Sequence, residues 1–338
     1  MDPIKFVRQL IDIESISGNE ASVGEFLLRA LVVLGFKVQK MDVTPDRFNV
    51  YATPQMRGTE PPQVVFSTHI DVVPPWFASS EDDANIYGRG ACDTKGIIAA
   101  MVAAAKHLLE HDPQFPLALL FVVGEERDSL GAKVANENAP NPKPRALING
   151  EPTESKIALA SKGTLRVELT VRGKMAHSAY PELGDSAIDK LLTALERMRK
   201  LKLPSAPEIG PSTMNIGVIE GGRAPNVISD FAKAQILIRL VGPSDELKRN
   251  IESALGDLCE IAYVLEIPFL RLRAFAGLPT FYASYTTDIP YLSNWGEPLL
   301  FGPGSIHVAH TDREFISKKE LMAAIDIYVK MARNIIDN

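Results

Sequence analysis

The sequence predicts an α/β protein, a largely parallel mixed-sheet catalytic domain interrupted by an inserted ferredoxin-like α+β module. Three observations carry this. Val64-Val65-Phe66-Ser67-Thr68 and Leu117-Ala118-Leu119-Leu120-Phe121-Val122-Val123 are apolar runs bounded by prolines and polar residues, as strands buried on both faces are. Between them residues 96–109, rich in Ala, Ile, Met and Leu, read as a helix. Strand, helix and strand in that order imply a parallel crossover. From about residue 162 the texture changes to the alternation Thr164-Leu165-Arg166-Val167-Glu168-Leu169-Thr170-Val171, which suits a half-exposed antiparallel strand.

The elements follow in order. Asp2 and Pro3 open a stretch in which Ile4, Phe6, Val7, Leu10, Ile11 and Ile13 alternate with Lys5, Arg8, Gln9 and Asp12, an amphipathic helix rather than a signal peptide. After the two apolar strands, residues 146–148 make a third. Then come the strand at 164–171, a helix over 186–201, strands over 213–220 and 231–240, a helix over 244–258 and a strand near 263–267. The order β-α-β-β-α-β is the ferredoxin-like one. A C-terminal helix covers 318–336. The expected organisation is therefore a first domain of residues 1–161 and 278–338, with 162–277 inserted.

Bulk properties narrow the function. At 338 residues the chain can bury two cores, and 46% hydrophobic with 23% charged residues excludes a disordered chain. No apolar stretch approaches the roughly 20 residues of a membrane span. A net charge of −6 offers no basic field for phosphate backbones, so neither nucleic acid nor a membrane is an expected partner. Cys92 and Cys259 alone make no disulfide framework, and a reducing cytoplasm is the expected setting.

Chemistry-bearing residues gather at the predicted strand ends. His69-Ile70-Asp71 ends the first apolar run and Gly124-Glu125-Glu126 the second, while Gly150-Glu151-Pro152-Thr153 follows the third strand. Gly88-Arg89-Gly90-Ala91-Cys92-Asp93 precedes the helix. Open α/β sheets collect their sites at the carboxyl ends of strands, which brings such residues together. Histidine and carboxylate ligands suit a divalent metal. His107 and His111, four apart, lack the glutamate of a His-Glu-x-x-His pair and read as a solvated helix face. No G-x-x-x-x-G-K loop and no G-x-S-x-G elbow supports nucleotide binding or a serine hydrolase.

Together these motifs, with Lys95-Gly96 and Gly302-Pro303-Gly304-Ser305-Ile306 leading to Ala309-His310, resemble those of the M20 metallopeptidases. That family includes acetylornithine deacetylase and succinyl-diaminopimelate desuccinylase. The resemblance covers essentially the whole chain. It implies a dinuclear centre, zinc with cobalt as a substitute, in which Asp93 bridges, His69 and Glu151 complete one site, and Glu126 and His310 the other. His310 is chosen over His307 by this pattern. Glu125 becomes the general base acting on a water held by the metals, whose pKa falls toward ~7 there. Asp71 is expected to orient His69 through its outer nitrogen.

The resemblance extends to the inserted module, the family's lid. Gly173-Lys174-Met175-Ala176-His177-Ser178 matches the segment whose histidine stabilises the oxyanion, commonly across a homodimer. Gly221-Gly222 to Asn226 matches the asparagine loop, and Arg239 the carboxylate-binding arginine, although Leu237 stands where the family has aspartate. Gly304 joins these as a substrate contact. Tyr285-Thr286-Thr287-Asp288 is either a polar substrate segment or a helix N-cap. The expected reaction is hydrolysis of the amide of a small N-acyl amino acid, with a carboxypeptidase or dipeptidase acting on short peptides as the alternative. A non-catalytic metal- or ligand-binding relative is the third reading.

Overall fold

The computed structural model describes all residues but Thr59 and Asn338, and of Asp257 only the backbone. Two compact units emerge. The first comprises Met1–Leu159, Leu272–Phe281 and the chain from Thr287 onward, and the second Ala160–Arg271 with Tyr282–Thr286. Where a single return near residue 278 was expected, the chain comes back at Leu272, leaves again at Tyr282 and returns at Thr287.

The first unit is built on a six-stranded sheet in the order Phe36–Thr44, Arg47–Pro54, Leu117–Val122, Val64–His69, Ala146–Asn149 and Glu297–Leu300. The first three strands pair antiparallel and the last four parallel. Both faces of the parallel part are covered, which is why its strands are apolar throughout. Val64, Phe66, Leu119, Phe121 and Ile148 pack with the helices Pro3–Ile11, Gly96–His111 and Lys318–Asp337. Val65, Leu120, Val122 and Leu147 pack instead with Ala132, Ala135 and Trp295.

Asp2 caps the first helix, its Oδ1 accepting from the Ile4 and Lys5 amides at 2.9 and 3.3 Å. Several elements of this unit carried no expectation, and three of them shape the sheet and its cover. The helix Ala21–Val33 buries Val23, Leu27 and Leu31 at four-residue spacing, and the hairpin Phe36–Thr44/Arg47–Pro54 extends the sheet. Glu297–Leu300 adds the outer parallel strand against Ala146–Asn149.

The second unit holds a four-stranded antiparallel sheet in the order Thr213–Gly221, Phe231–Leu240, Gly163–Arg172 and Glu260–Ile267. This is the ferredoxin-like order. Helices Ala187–Lys200 and Asp245–Leu255 cover one face, enclosing Leu165, Val167, Leu169, Ile236, Ile238, Leu191, Leu195 and Ile251. Every second residue of Phe231–Leu240 is buried, as a sheet covered on one side requires. No helix among the described residues is long and apolar enough to cross a membrane.

Candidate metal centre

Four neighbouring strands of the first sheet deliver the centre at their carboxyl ends. His69 is the last residue of Val64–His69, and Glu125 and Glu126 lie in the turn after Leu117–Val122. Glu151 stands two residues beyond Ala146–Asn149, and His310 lies in the loop leaving Glu297–Leu300. Asp93 enters from the turn before helix Gly96–His111, with a backbone that is not helical (φ −121°, ψ 83°).

Asp93 points one oxygen at each histidine. Its Oδ1 lies 3.1 Å from His69 Nε2 and its Oδ2 3.3 Å from His310 Nε2. Glu151 Oε2 stands 3.9 Å from His69 Nε2, and Glu126 Oε1 2.9 Å from His310 Nε2. Donor atoms of His69, Asp93 and Glu126 all fall within 4.8 Å of one another. Two ligands of one tetrahedral zinc, each about 2.0–2.1 Å from it, would be separated by roughly 3.3 Å, within the range of these pairs. His310 adopts a left-handed backbone (φ 64°), a strained choice for a non-glycine residue, and its half-exposed ring marks the open side.

The electrostatics point the same way. His69 Nδ1 is 3.0 Å from the carbonyl of Asp71, an acceptor, so Nδ1 carries a proton and Nε2 is the nitrogen turned toward two carboxylates. Among the described residues no lysine or arginine pairs with Asp93, Glu126 or Glu151. Burial pushes the Glu125, Glu126 and Glu151 carboxyls up, helped by mutual repulsion. Burial lifts Asp288 to about 7 against the opposing pull of Ser129. Burial lowers His69, but Asp71, Asp93 and Glu151 outweigh it and hold the ring well above its usual range. Asp93 and Glu126 raise His310 to about 10. Glu151 Oε1 is buried without a hydrogen-bond partner among the described residues. Such a surplus of buried negative charge requires cations or protons. Two divalent ions sharing Asp93 fit it.

Asp71 stands beside His69 and holds a second set of partners. The outer nitrogen of His69 meets its backbone carbonyl, with the carboxylate farther off at 3.5 Å. That carboxylate also accepts from the amides of Gly124, Glu125 and Glu126 at 3.0, 3.1 and 3.3 Å and from Ser17 Oγ at 2.6 Å. It clamps the turn that carries the two glutamates. Thr153 ties its own loop to the next one, its hydroxyl accepting from the Gly302 amide at 2.9 Å.

Sequence reasoning passed over Glu314. Fully buried, it pairs with Arg89 (2.7 Å) and accepts from the amides of Gly90, Cys92 and Asp93. Gly304 (φ +88°) packs so closely that an added Cβ would lie 2.6 Å from Cys92 Cβ, and its carbonyl accepts from the Glu154 amide. Thr287, not Asp288, caps the turn Ile289–Tyr291, through Oγ1 and the Ile289 amide. His307 is exposed, as are His107 and His111, whose rings lie 4.6 Å apart.

Within the second unit, Ala176–His177 pairs with Val227–Ile228, and the Ser178 amide donates to the Asn226 carbonyl. His177 is exposed and its Nδ1 accepts from the Ala179 amide at 3.1 Å, so a neutral ring offers Nε2–H outward. Arg239 lies elsewhere, its Nη1 on the hydroxyls of Thr164 (2.8 Å) and Thr286 (3.5 Å). Among the described residues it has no carboxylate partner.

The fold and this centre define a metal-dependent hydrolase of the peptidase and amidohydrolase class. A peptidase dimerisation domain model matches residues 159–261, and a peptidase family M28 model matches 49–181. A probable carboxypeptidase of Aspergillus terreus is 39% identical over 97% of this chain and 85% of its own length. A peptidase M20 domain-containing protein of Schizosaccharomyces pombe is 38% identical over 97% of this chain and 83% of its own. The chain belongs to the M20 family of metallopeptidases. Among solved structures, a tripeptidase from Staphylococcus aureus shares its fold with a TM-score of 0.80 at 22% identity over 98% of each chain. So does an M20 family metallo-carboxypeptidase from Sulfolobus solfataricus, at 0.78 and 19% identity over 98% of this chain and 99% of that one.

Proposed function

We propose that the protein is a dinuclear metallo-carboxypeptidase that releases the C-terminal residue of dipeptides or other short peptides. The observation that carries the metal chemistry is Asp93, with one oxygen toward His69 beside Glu151 and the other toward His310 beside Glu126. Divalent ions held there, zinc or cobalt, supply Lewis acidity and lower the pKa of water. Glu125 takes the proton of the attacking water and delivers it to the leaving amine. Its raised carboxyl suits both halves of that exchange.

Arg239 is proposed to take the substrate's terminal carboxylate, because a half-buried guanidinium held only by two hydroxyls keeps donors for a planar anion. His177 then donates Nε2–H to the developing oxyanion, assisted by Asn226. The deacylase reading expected from the motifs uses the same chemistry on an N-acyl amino acid. The names of the full-length relatives favour the peptidase.

The second unit supports a homodimer. Arg239 pairs with Thr213 near one end of its strand, whereas Phe231, next to the loop of Asn226 and His177, begins the other. Eight strand steps of ~3.3 Å separate them by about 26 Å, far more than a dipeptide spans. A single substrate held by all three residues therefore takes Arg239 from one protomer and His177 and Asn226 from its partner. Ile188 and Leu192 on helix Ala187–Lys200, with Val218 and Ile219 on the edge strand, leave an apolar surface exposed for that partner.

The test is a hydrolysis panel of dipeptides, tripeptides, C-terminally amidated peptides, and acetyl and succinyl amino acids, with and without zinc or cobalt. Free-carboxylate peptides should be cleaved best. Arg239→Ala should raise KM for them, and Glu125→Gln should lower kcat by about 10²–10⁴ while metal stays bound. Faster turnover of acyl amino acids than of every peptide would decide for the deacylase. Metal binding without turnover of any substrate would make the chain a binding relative.

A further inference from the structure

We propose that Glu314 is a positioning residue that sets the bridging carboxylate Asp93 in place for both metal sites, an inference that rests on the metal-centre reading above. Its two oxygens divide the work. Oε1 accepts from three amides of the Asp93 loop, those of Gly90 (3.0 Å), Asp93 (3.2 Å) and Cys92 (3.3 Å), with Cys92 Sγ at 3.7 Å. Oε2 accepts from Arg89 Nη1 at 2.7 Å.

Arg89 carries the connection onward. Its Nε donates to the Pro75 carbonyl (3.1 Å) and its guanidinium lies 5.1 Å from the Phe77 ring, in the segment that follows His69 and Asp71. On the other side Glu314 stands four residues after His310, and the Gly88 amide donates to its backbone carbonyl at 3.1 Å. Phe315–Ser317 then pairs with Asn85–Tyr87. One buried ion pair thus joins three chain segments that bear His69, Asp93 and His310.

The geometry matters because Asp93 has no freedom to spare. Each of its oxygens must face a different histidine, and a small rotation of its turn would serve one site at the expense of the other. An acidic side chain, rather than a helix or strand, holds that turn, since its backbone at Asp93 and Thr94 is not helical. Outer partners of metal ligands commonly change metal affinity 10- to 100-fold when removed. A carboxylate that positions the shared ligand should act on both ions together.

The experiment uses the full chain stripped of metal and titrated with Zn²⁺ against a chromogenic chelator, alongside thermal melts of the metal-free form. Glu314→Gln keeps an oxygen for the three amides but turns an NH₂ toward Arg89, and Glu314→Ala removes the cradle. His310→Ala serves as a ligand-loss control that should weaken mainly one equivalent. The expected result is a cooperative melt for Glu314→Gln, with both Zn²⁺ equivalents weakened by roughly 10- to 100-fold. In zinc-saturated enzyme kcat should fall while KM stays near wild type. Wild-type affinity for both equivalents in Glu314→Gln overturns the proposal. So does loss of its cooperative metal-free melt, which makes Glu314 a folding element. A wild-type chain that binds no Zn²⁺ overturns the metal-centre reading itself, and this inference with it.

Discussion

His310 carries the most direct consequence of the centre's charge. Asp93 and Glu126 lift its pKa from an ordinary 6.5 to about 10 in the metal-free protein, so at neutral pH the ring is protonated and cannot ligate. Binding a cation must expel that proton. Metal affinity should therefore climb as pH rises toward about 10, and adding Zn²⁺ to weakly buffered metal-free enzyme at pH 7 should acidify the solution. Absence of proton release would remove His310 from the ligand set. The sign for stability is opposite. The pairing of protonated His310 with its carboxylates supports the metal-free fold fully below pH 6.5 and is lost as pH rises through about 10. His69, Asp93, Glu126, Glu151 and His310 were nameable because each sits in a short motif that resembles one of the family's, and the resemblance alone chose His310 over His307. Glu314 was not, because a glutamate in Asp312-Arg313-Glu314 looks like any solvated charge and its partner Arg89 lies 225 positions away.

At the level of elements, the strand Val64–His69 does two jobs. Its apolar residues fill both faces of the sheet while its last residue, His69, faces Asp93 and Glu151. Phe66 is buried among the first unit's helices, its ring 5.3 Å from Tyr328, which in turn meets the Phe301 ring edge to face and donates its hydroxyl to the Phe301 carbonyl. Phe66→Ala should cost about 3–5 kcal/mol in the metal-free protein, read by denaturant unfolding. A loss below about 1 kcal/mol would mean that the core refills the space. Long apolar runs and strict alternation announced the central strands and the second unit's sheet. Glu297–Leu300 escaped notice because four residues beginning Glu-Pro carry no periodic signal. Its place comes from Ala146–Asn149, about 150 residues earlier, and only that pairing makes it a strand.

For the whole molecule the decisive experiment is complementation. Glu125→Gln and His177→Ala should each be nearly inactive alone. If His177 serves the partner's centre, mixing the two under conditions of subunit exchange should restore part of the activity, since a mixed dimer has one site with both residues intact. An exchanged mixture that stays inactive would assign His177 to its own protomer or to no catalytic role. Leu192→Glu, on the exposed apolar face of helix Ala187–Lys200, should shift the chain toward monomer in sedimentation and remove that complementation.

The sequence by itself determined the elements whose burial pattern is local, namely the buried strands, the half-exposed sheet of the second unit and the amphipathic helices. It also determined the motifs that mark the family, because ligating side chains must stand at strand ends to converge. Tertiary structure decided what each carboxylate does. Beside His69, Asp71 also gathers the Gly124–Glu126 amides, and Glu314 holds the Asp93 loop. Hydrogen-bond partners far apart in the chain are chosen by packing, and sequence spacing carries no record of that choice.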